Sequence, residues 1–220
     1  LEQVGNLLGD VVDPNVVNRV LGAGFRGSTF SIMMPLRPDE NGAYNKASFL
    51  TAGGVLGLVA ANSPGSYLAV PNSRLDTVEV NADTESGMRS SPEIVGNLNG
   101  PRWFSTGVLL PDGPVLAGNG ANRDDVVLPG SAPAAQMTER FDPETGEWTE
   151  MATSLNPRTY HNTALLLPDG RVLVGGHAPI NTAYLFSLNL EELGLSPNDG
   201  RDPSFEIYSP PYVFKDRPEI

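Results

Sequence analysis

Two residues able to hold a metal ion stand side by side in this chain, Tyr160 and His161, inside the stretch NPRTYHNTALLLPDGRVLVGGH from Asn156 to His177. The second of the chain's two histidines, His177, closes the same stretch. The stretch reads as one hairpin turned at Pro168-Asp169-Gly170-Arg171. That turn brings positions near 161 and 177 to within cross-strand range, about 5–7 Å. Three side chains would then surround one metal. The plainer reading makes Tyr160 and His161 decoration of a β-repeat and His177 a loop histidine after Gly175-Gly176.

The elements that must position these residues recur along the chain. GPRWFSTGVLLPDGPVLAGNG, from Gly100 to Gly120, aligns with the stretch from Asn156. Pro111 and Pro168 are 57 apart (168 − 111), whereas Pro101 and Pro157 are 56 apart (157 − 101), so the later copy gains one residue between its Pro-Arg pair and its turn. A weaker copy, RPDENGAYNKASFLTAGG, runs from Arg37 to Gly54. The other half of the unit also repeats. TERFDPETGEWTEM from Thr138 resembles SFEIYSPPYVF from Ser204, with Glu139, Phe141 and Pro143 corresponding to Glu206, Tyr208 and Pro210, and TVEVNADTESG from Thr77 reads as a degenerate copy.

In the turn, proline presets φ, aspartate bonds back to the backbone and glycine accepts a positive φ. The flanking apolar runs are continuous rather than alternating, which predicts strands buried on both faces. Helical spacing is confined to Leu1–Val20 and Ser187–Leu195. A period of about 50–60 residues matches kelch-type propeller units. At about 50 residues per unit the chain holds about four blades, and rings close with about four to eight. The expected fold is therefore all-β, with antiparallel four-stranded kelch-type blades that form part of a larger ring.

Composition narrows the function. The chain has 220 residues and a net charge of −12, from 14 basic and 26 acidic side chains, which opposes nucleic acid and anionic membrane surfaces. No run approaches the roughly 20 apolar residues of a membrane span. Without a cysteine, the chain offers no disulfide and no thiolate ligand. Its opening lacks the basic region of a signal peptide and reads as the start of a processed or truncated chain. The glycine pairs are not phosphate loops, because no Gly-Lys-Ser/Thr follows them.

FDPETGEWTEMATSLNPRTYHNTALLLPDGRVLVGG, together with EIYSPPYVF and RPEI, resembles the galactose oxidase and glyoxal oxidase family. The resemblance implies that residues 30–214 are kelch-like blades forming part of a seven-bladed propeller, after an N-terminal segment, 1–29, that is a short helix or irregular. Residues 215–220 would begin a linker to a C-terminal sandwich domain lying beyond this chain, as would further blades. It implies copper bound by Tyr160 and His161, with Tyr160 also the base. The activity implied is oxidation of a primary alcohol or aldehyde, with O2 reduced to H2O2. Small alcohols, aldehydes or carbohydrates are the implied partners, and the implied location is extracellular or at the cell surface. Cu(II) prefers a tetragonal set of nitrogen and oxygen donors, which phenolate and imidazole supply. Neighbouring residues on a regular strand point to opposite faces. Both can face one ion only if the backbone is irregular, and the gained residue makes room for that.

The chain departs from the family where the radical cofactor belongs. Phe104 in RWFSTGVLLPDGPV occupies the place of the cross-linked tyrosine, and Ser31 in TFSIMM that of its cysteine. No Cys–Tyr cofactor can form within these residues. Phe104 also reads as a generic blade position. Because copper exchanges one electron and the oxidation needs two, the alternative is a propeller that binds carbohydrate or protein without redox chemistry. Arg102 and Arg158 are expected to bond carbonyls or carboxylates between blades, or to reach a substrate hydroxyl. Trp103 is expected to pack within a blade or meet a substrate.

Overall fold

The computed structural model describes residues 29–59, 66–80, 83–122, 124–125, 135–177 and 204–216. Its strands are β1 (Phe30–Met33), β2 (Lys46–Ala52), β3 (Val55–Val59), β4 (Ser66–Ala69), β5 (Ser73–Val80), β6 (Met88–Ile94) and β7 (Thr106–Leu109). There follow β8 (Val115–Gly118), β9 (Asp124–Asp125), β10 (Met137–Asp142), β11 (Glu147–Thr153), β12 (Tyr160–Leu166), β13 (Val172–His177) and β14 (Glu206–Tyr208), then a 3₁₀ turn at Pro211–Phe214. The helical spacings at Leu1–Val20 and Ser187–Leu195 lie outside the described residues, as does the N-terminal segment up to residue 28. No helix among the described residues is long and apolar enough to cross a membrane.

The strands form three blades. The first two are four-stranded, β1-β2-β5-β6 and β7-β8-β10-β11, and the third is β12-β13-β14. All pairings are antiparallel. The sequence copies fall on matching strands: the runs ending in glycine become the second strand of each blade, and the Glu-Phe/Tyr copies become the third. The first strands, β1, β7 and β12, lie against one another in order. Adjacent blades therefore pack face to face about their inner strands, as in a propeller.

The two Pro-Asp-Gly turns close alike. Leu110 N bonds Pro114 O at 2.8 Å and Gly113 N bonds Leu110 O at 2.9 Å; Leu167 N bonds Arg171 O at 2.8 Å and Gly170 N bonds Leu167 O at 2.9 Å. Arg171 N donates to Asp169 Oδ1 at 3.1 Å, the back-bond expected of aspartate in a turn.

The core is made between blades. Phe30, Met34, Leu50 and Ala52 of the first blade meet Val115, Ala117, Phe141 and Trp148 of the second. The other face of the second blade, Val108, Leu110 and Leu116, meets Val172 and Val174 of the third. Trp148 joins this packing to hydrogen bonding: its ring lies 5.3 Å from Phe141 and its indole N–H donates to Ser73 Oγ at 3.0 Å in the first blade. Blade on blade thus explains the unbroken apolar run of β8, which is covered on both sides.

The same expectation fails for β12. Leu165 and Leu166, which point to opposite faces, are 56% and 41% exposed, and no sheet among the described residues covers the face taken by Leu165, away from the packed Ala164. Met33, Val80 and Met88 are likewise exposed on the first blade. The expectation of four-stranded blades also stops at the third, which shows three strands among the described residues.

Gly107 sets how closely the inner strands approach. A Cβ there would collide with the ring of Phe30 in the neighbouring blade. The Gly107→Ala substitution should therefore overpack the first interface and cost about 1–3 kcal/mol. Gly100→Ala, with nothing near its added methyl, should stay within about 0.5 kcal/mol. Urea melts of the two variants check this, and equal midpoints would mean that Phe30 moves aside freely.

Candidate functional site

The strand carrying Tyr160 and His161 is not regular. From Leu166↔Val172 to Thr163↔Gly175 the β12–β13 ladder keeps one register, and then it shifts so that Tyr160 lies opposite His177. His161 and Asn162 together oppose Gly176 alone. This is a β-bulge, an extra residue on one strand that re-aims its neighbours. In the second blade the equivalent ladder runs unbroken from Leu109↔Val115 through Thr106↔Gly118 to the Trp103↔Ala121 bridge. The residue gained by the later copy is therefore the bulge, and it falls at the Tyr-His pair. The backbone brings Tyr160, His161 and His177 to one end of one hairpin; their side chains lie outside the described residues.

Arginine fixes the approach to this end. Arg158 is buried, with Nη1 donating to Gly176 O at 2.7 Å and Nη2 to Ser204 Oγ at 3.2 Å, and Nε lies 3.7 Å from Glu206 Oε1. Glu206 in turn accepts the backbone N–H groups of Leu155 at 2.8 Å and Asn156 at 3.0 Å. One guanidinium and one carboxylate thus tie together the segment entering β12, the far end of β13 and β14.

The second blade has the same device. Arg102 donates to Asn119 O at 3.1 Å, Ala135 O at 3.2 Å, Met137 O at 2.7 Å and Glu139 Oε1 at 2.8 Å. Glu139 also accepts from Asn99 N and Nδ2, at 2.7 and 2.9 Å. Glu139 faces Ala117 across its ladder, as Glu206 faces Val174. Burial pulls the Arg102 pKa down, and the charge and hydrogen bond of Glu139 oppose that. These guanidinium bonds were expected between blades. They lie within each arginine's own blade, because the residue before the first strand is carried beneath the second and third.

Phe104 occupies the position that Tyr160 holds in the next blade. Its φ is +53°, uncommon for a residue with a side chain, and its ring meets Trp103 edge to face at 4.5 Å. Trp103 itself is buried. Gly120 follows from that turn: with φ +92°, a Cβ there would strike the Trp103 carbonyl. Ser31 is exposed on the first blade. Phe30 turns inward onto β7, so Ser31 alternates to the exposed face of β1, where its Oγ accepts from Thr51 at 3.1 Å.

Sequence reasoning missed Asn162 at the bulge and gave no role to Glu139 and Glu206. The latter two could have been found, since they align in the repeat. Among the described residues no group of three or more His, Cys, Asp or Glu could hold a metal.

Stacked antiparallel blades with a bulge at one rim define this chain as a propeller-type protein. Residues 19–212 match the family described as glyoxal oxidase N-terminus, and the chain belongs to that family. It is 36% identical over 117 residues to aldehyde oxidase GLOX1 of Arabidopsis thaliana, covering 51% of this chain and 17% of that protein. It is 37% identical over 90 residues to a galactose oxidase of Gibberella zeae, covering 40% of this chain and 13% of the relative. A fungal alcohol oxidase of the AA5 family, solved in complex with copper, matches 88% of this chain and 34% of its own with a TM-score of 0.58. At 22% identity that likeness speaks for the fold.

The Glu139→Ala substitution should leave a buried guanidinium unpaired and cost about 3–5 kcal/mol. Glu206→Ala should cost less, because Glu206 is partly exposed and its contact to Arg158 is longer. Denaturant melts rank the two, and the reverse order would deny Glu139 its place as the stronger partner.

Proposed function

We propose that this chain is the propeller portion of a copper oxidase that oxidises a primary alcohol or an aldehyde with O2, forming H2O2. The observation that carries the reading is the register slip between Tyr160 and Thr163. It frees two adjacent residues from strict alternation, at the motif where the family resemblance puts a metal. Tyr160 and His161 would bind copper, and His177, opposite Tyr160, is a third candidate. The donor chemistry fits: phenolate oxygen and imidazole nitrogen suit Cu(II). Two or three donors leave its coordination incomplete, so a further ligand would come from a sandwich domain. Copper, when bound, would exchange one of the two electrons, and the other would need a second one-electron centre from outside these 220 residues, because no Cys–Tyr cross-link can form within them. Tyr160 would take the hydroxyl proton of the alcohol, and the bulge would hold its oxygen near that proton. Overall, an alcohol gives up two electrons and two protons to O2, yielding aldehyde and H2O2. The same reading places the protein outside the cell or on its surface.

A second reading, a propeller that binds carbohydrate or protein without redox chemistry, is favoured by one observation. No cysteine occurs in these 220 residues to form the family's cross-link.

Peroxide release by the full-length, copper-loaded protein tests the first reading, with primary alcohols, glyoxal and galactose as substrates. Tyr160→Phe and His161→Ala should each weaken copper binding at least tenfold and abolish peroxide release. If copper binds tightly but no substrate releases peroxide, the binding reading stands. Unchanged copper affinity in His177→Ala would remove that residue from the ligand set.

A further inference from the structure

We propose that Asn162 is the positioning residue that holds the bulged backbone presenting Tyr160 and His161. A bulged strand has two residues facing one, so part of its backbone lacks ladder partners and needs another tether. Asn162 is the second residue of that pair, and its side chain leaves the blade. Nδ2 donates to Phe104 O at 2.9 Å, across the interface to the second blade, and reaches Arg158 O at 3.5 Å. Both targets are carbonyls, which only accept, so the contact requires the amide's N–H donors. Oδ1 is buried without a partner among the described residues, so the donor side alone orients the group.

The tether occurs where the bulge occurs. Ser105 stands at the equivalent position of the second blade (162 − 57), because Thr106 opposite Gly118 matches Thr163 opposite Gly175. The shorter Ser105 hydroxyl is buried with no hydrogen-bond partner among the described residues, so the unbulged rim has no such tether. The carbonyl that Asn162 grips belongs to Phe104, whose left-handed backbone is shaped by the Trp103↔Ala121 bridge and the tight Gly120 contact. A second bond, Gly120 N to Arg158 O at 2.8 Å, joins the same two blades beside it. The bulge is therefore referenced to the rigid rim of its neighbour, and Asn162 supplies the side-chain link.

The consequence for metal binding rests on the copper reading; the tether itself does not. The test uses the full-length protein with Asn162→Ala and the near-isosteric Asn162→Asp, which replaces the donor by an oxygen facing two carbonyls. Amide hydrogen exchange of residues 159–163, measured without metal, should accelerate at least tenfold in both variants, while exchange at β8 and β10 stays unchanged. With Cu(II) added, affinity should fall about 10–100-fold, the range for loss of a group that orients a ligand. The Cu(II) electron paramagnetic resonance spectrum should also change. Unchanged exchange in Asn162→Asp overturns the proposal, whatever the metal does. Should the parent protein fail to bind copper, the copper reading falls, and the exchange measurement alone decides the tether. If exchange accelerates evenly through all three blades, Asn162 is a general stability residue and the proposal is overturned.

Discussion

Each of the later two blades closes on a buried arginine. A guanidinium carries its donors in a fixed fork, and here it faces main-chain carbonyls and one carboxylate, joined at Arg158 by the Ser204 hydroxyl. Arg102 gathers Asn119, Ala135, Met137 and Glu139; Arg158 gathers Gly176, Ser204 and Glu206. Without such a donor, these carbonyls, where long connections leave the sheet, would lose this partner. The carboxylate neutralises the arginine and also binds N–H groups of the segment entering the blade. Among the described residues the first blade shows no such pair. Ser73 faces Ala52 where Glu139 faces Ala117, and its hydroxyl instead receives the indole N–H of Trp148.

On this common frame, one residue separates a regular rim from a bulged one. The second and third blades share the Pro-Arg pair, the Pro-Asp-Gly turn and the glycine-rich strand end. The extra residue cannot be absorbed in the turn, whose hydrogen bonds are the same in both copies. Nor can it slip the whole strand, because a one-residue shift would turn Ala164 away from the packing around Val172 and Val174. It is left at the rim, between the arginine anchor and the regular ladder, beside Tyr160 and His161.

That reasoning shows what could be read in advance. Blade order, hairpins, turns and the place of the irregularity were legible, because apolar runs, Pro-Asp-Gly and a 57-against-56 offset are local signals. The Arg–Glu partnership was not, since its separation changes from 37 (139 − 102) to 48 (206 − 158) as the intervening connection lengthens. Nothing in a polar Asn162 distinguished it from a solvent-facing strand residue; its partner lies 58 residues away in another blade. The exposure of Leu165 and Leu166 was equally hidden, because an apolar run reports what a strand is fit to meet rather than what lies against it.

Topology also decides where recognition can develop. In an antiparallel blade the first and second strands turn at one end, and the second and third connect at the other. The first-to-second turns here are short at residues 110–114 and 167–171, whereas the second-to-third connections are long in all three blades. Those of the first two blades pair with each other, as β3-β4-β9, so they form an ordered wall rather than separate loops. This is the end at which Tyr160 lies opposite His177. Chain length has accumulated at the rim that carries the bulge, while at the opposite rim the first and second strands of the second and third blades are joined by tight turns. Loops tolerate such variation when a rigid scaffold fixes their ends, and here the arginine clamps fix them.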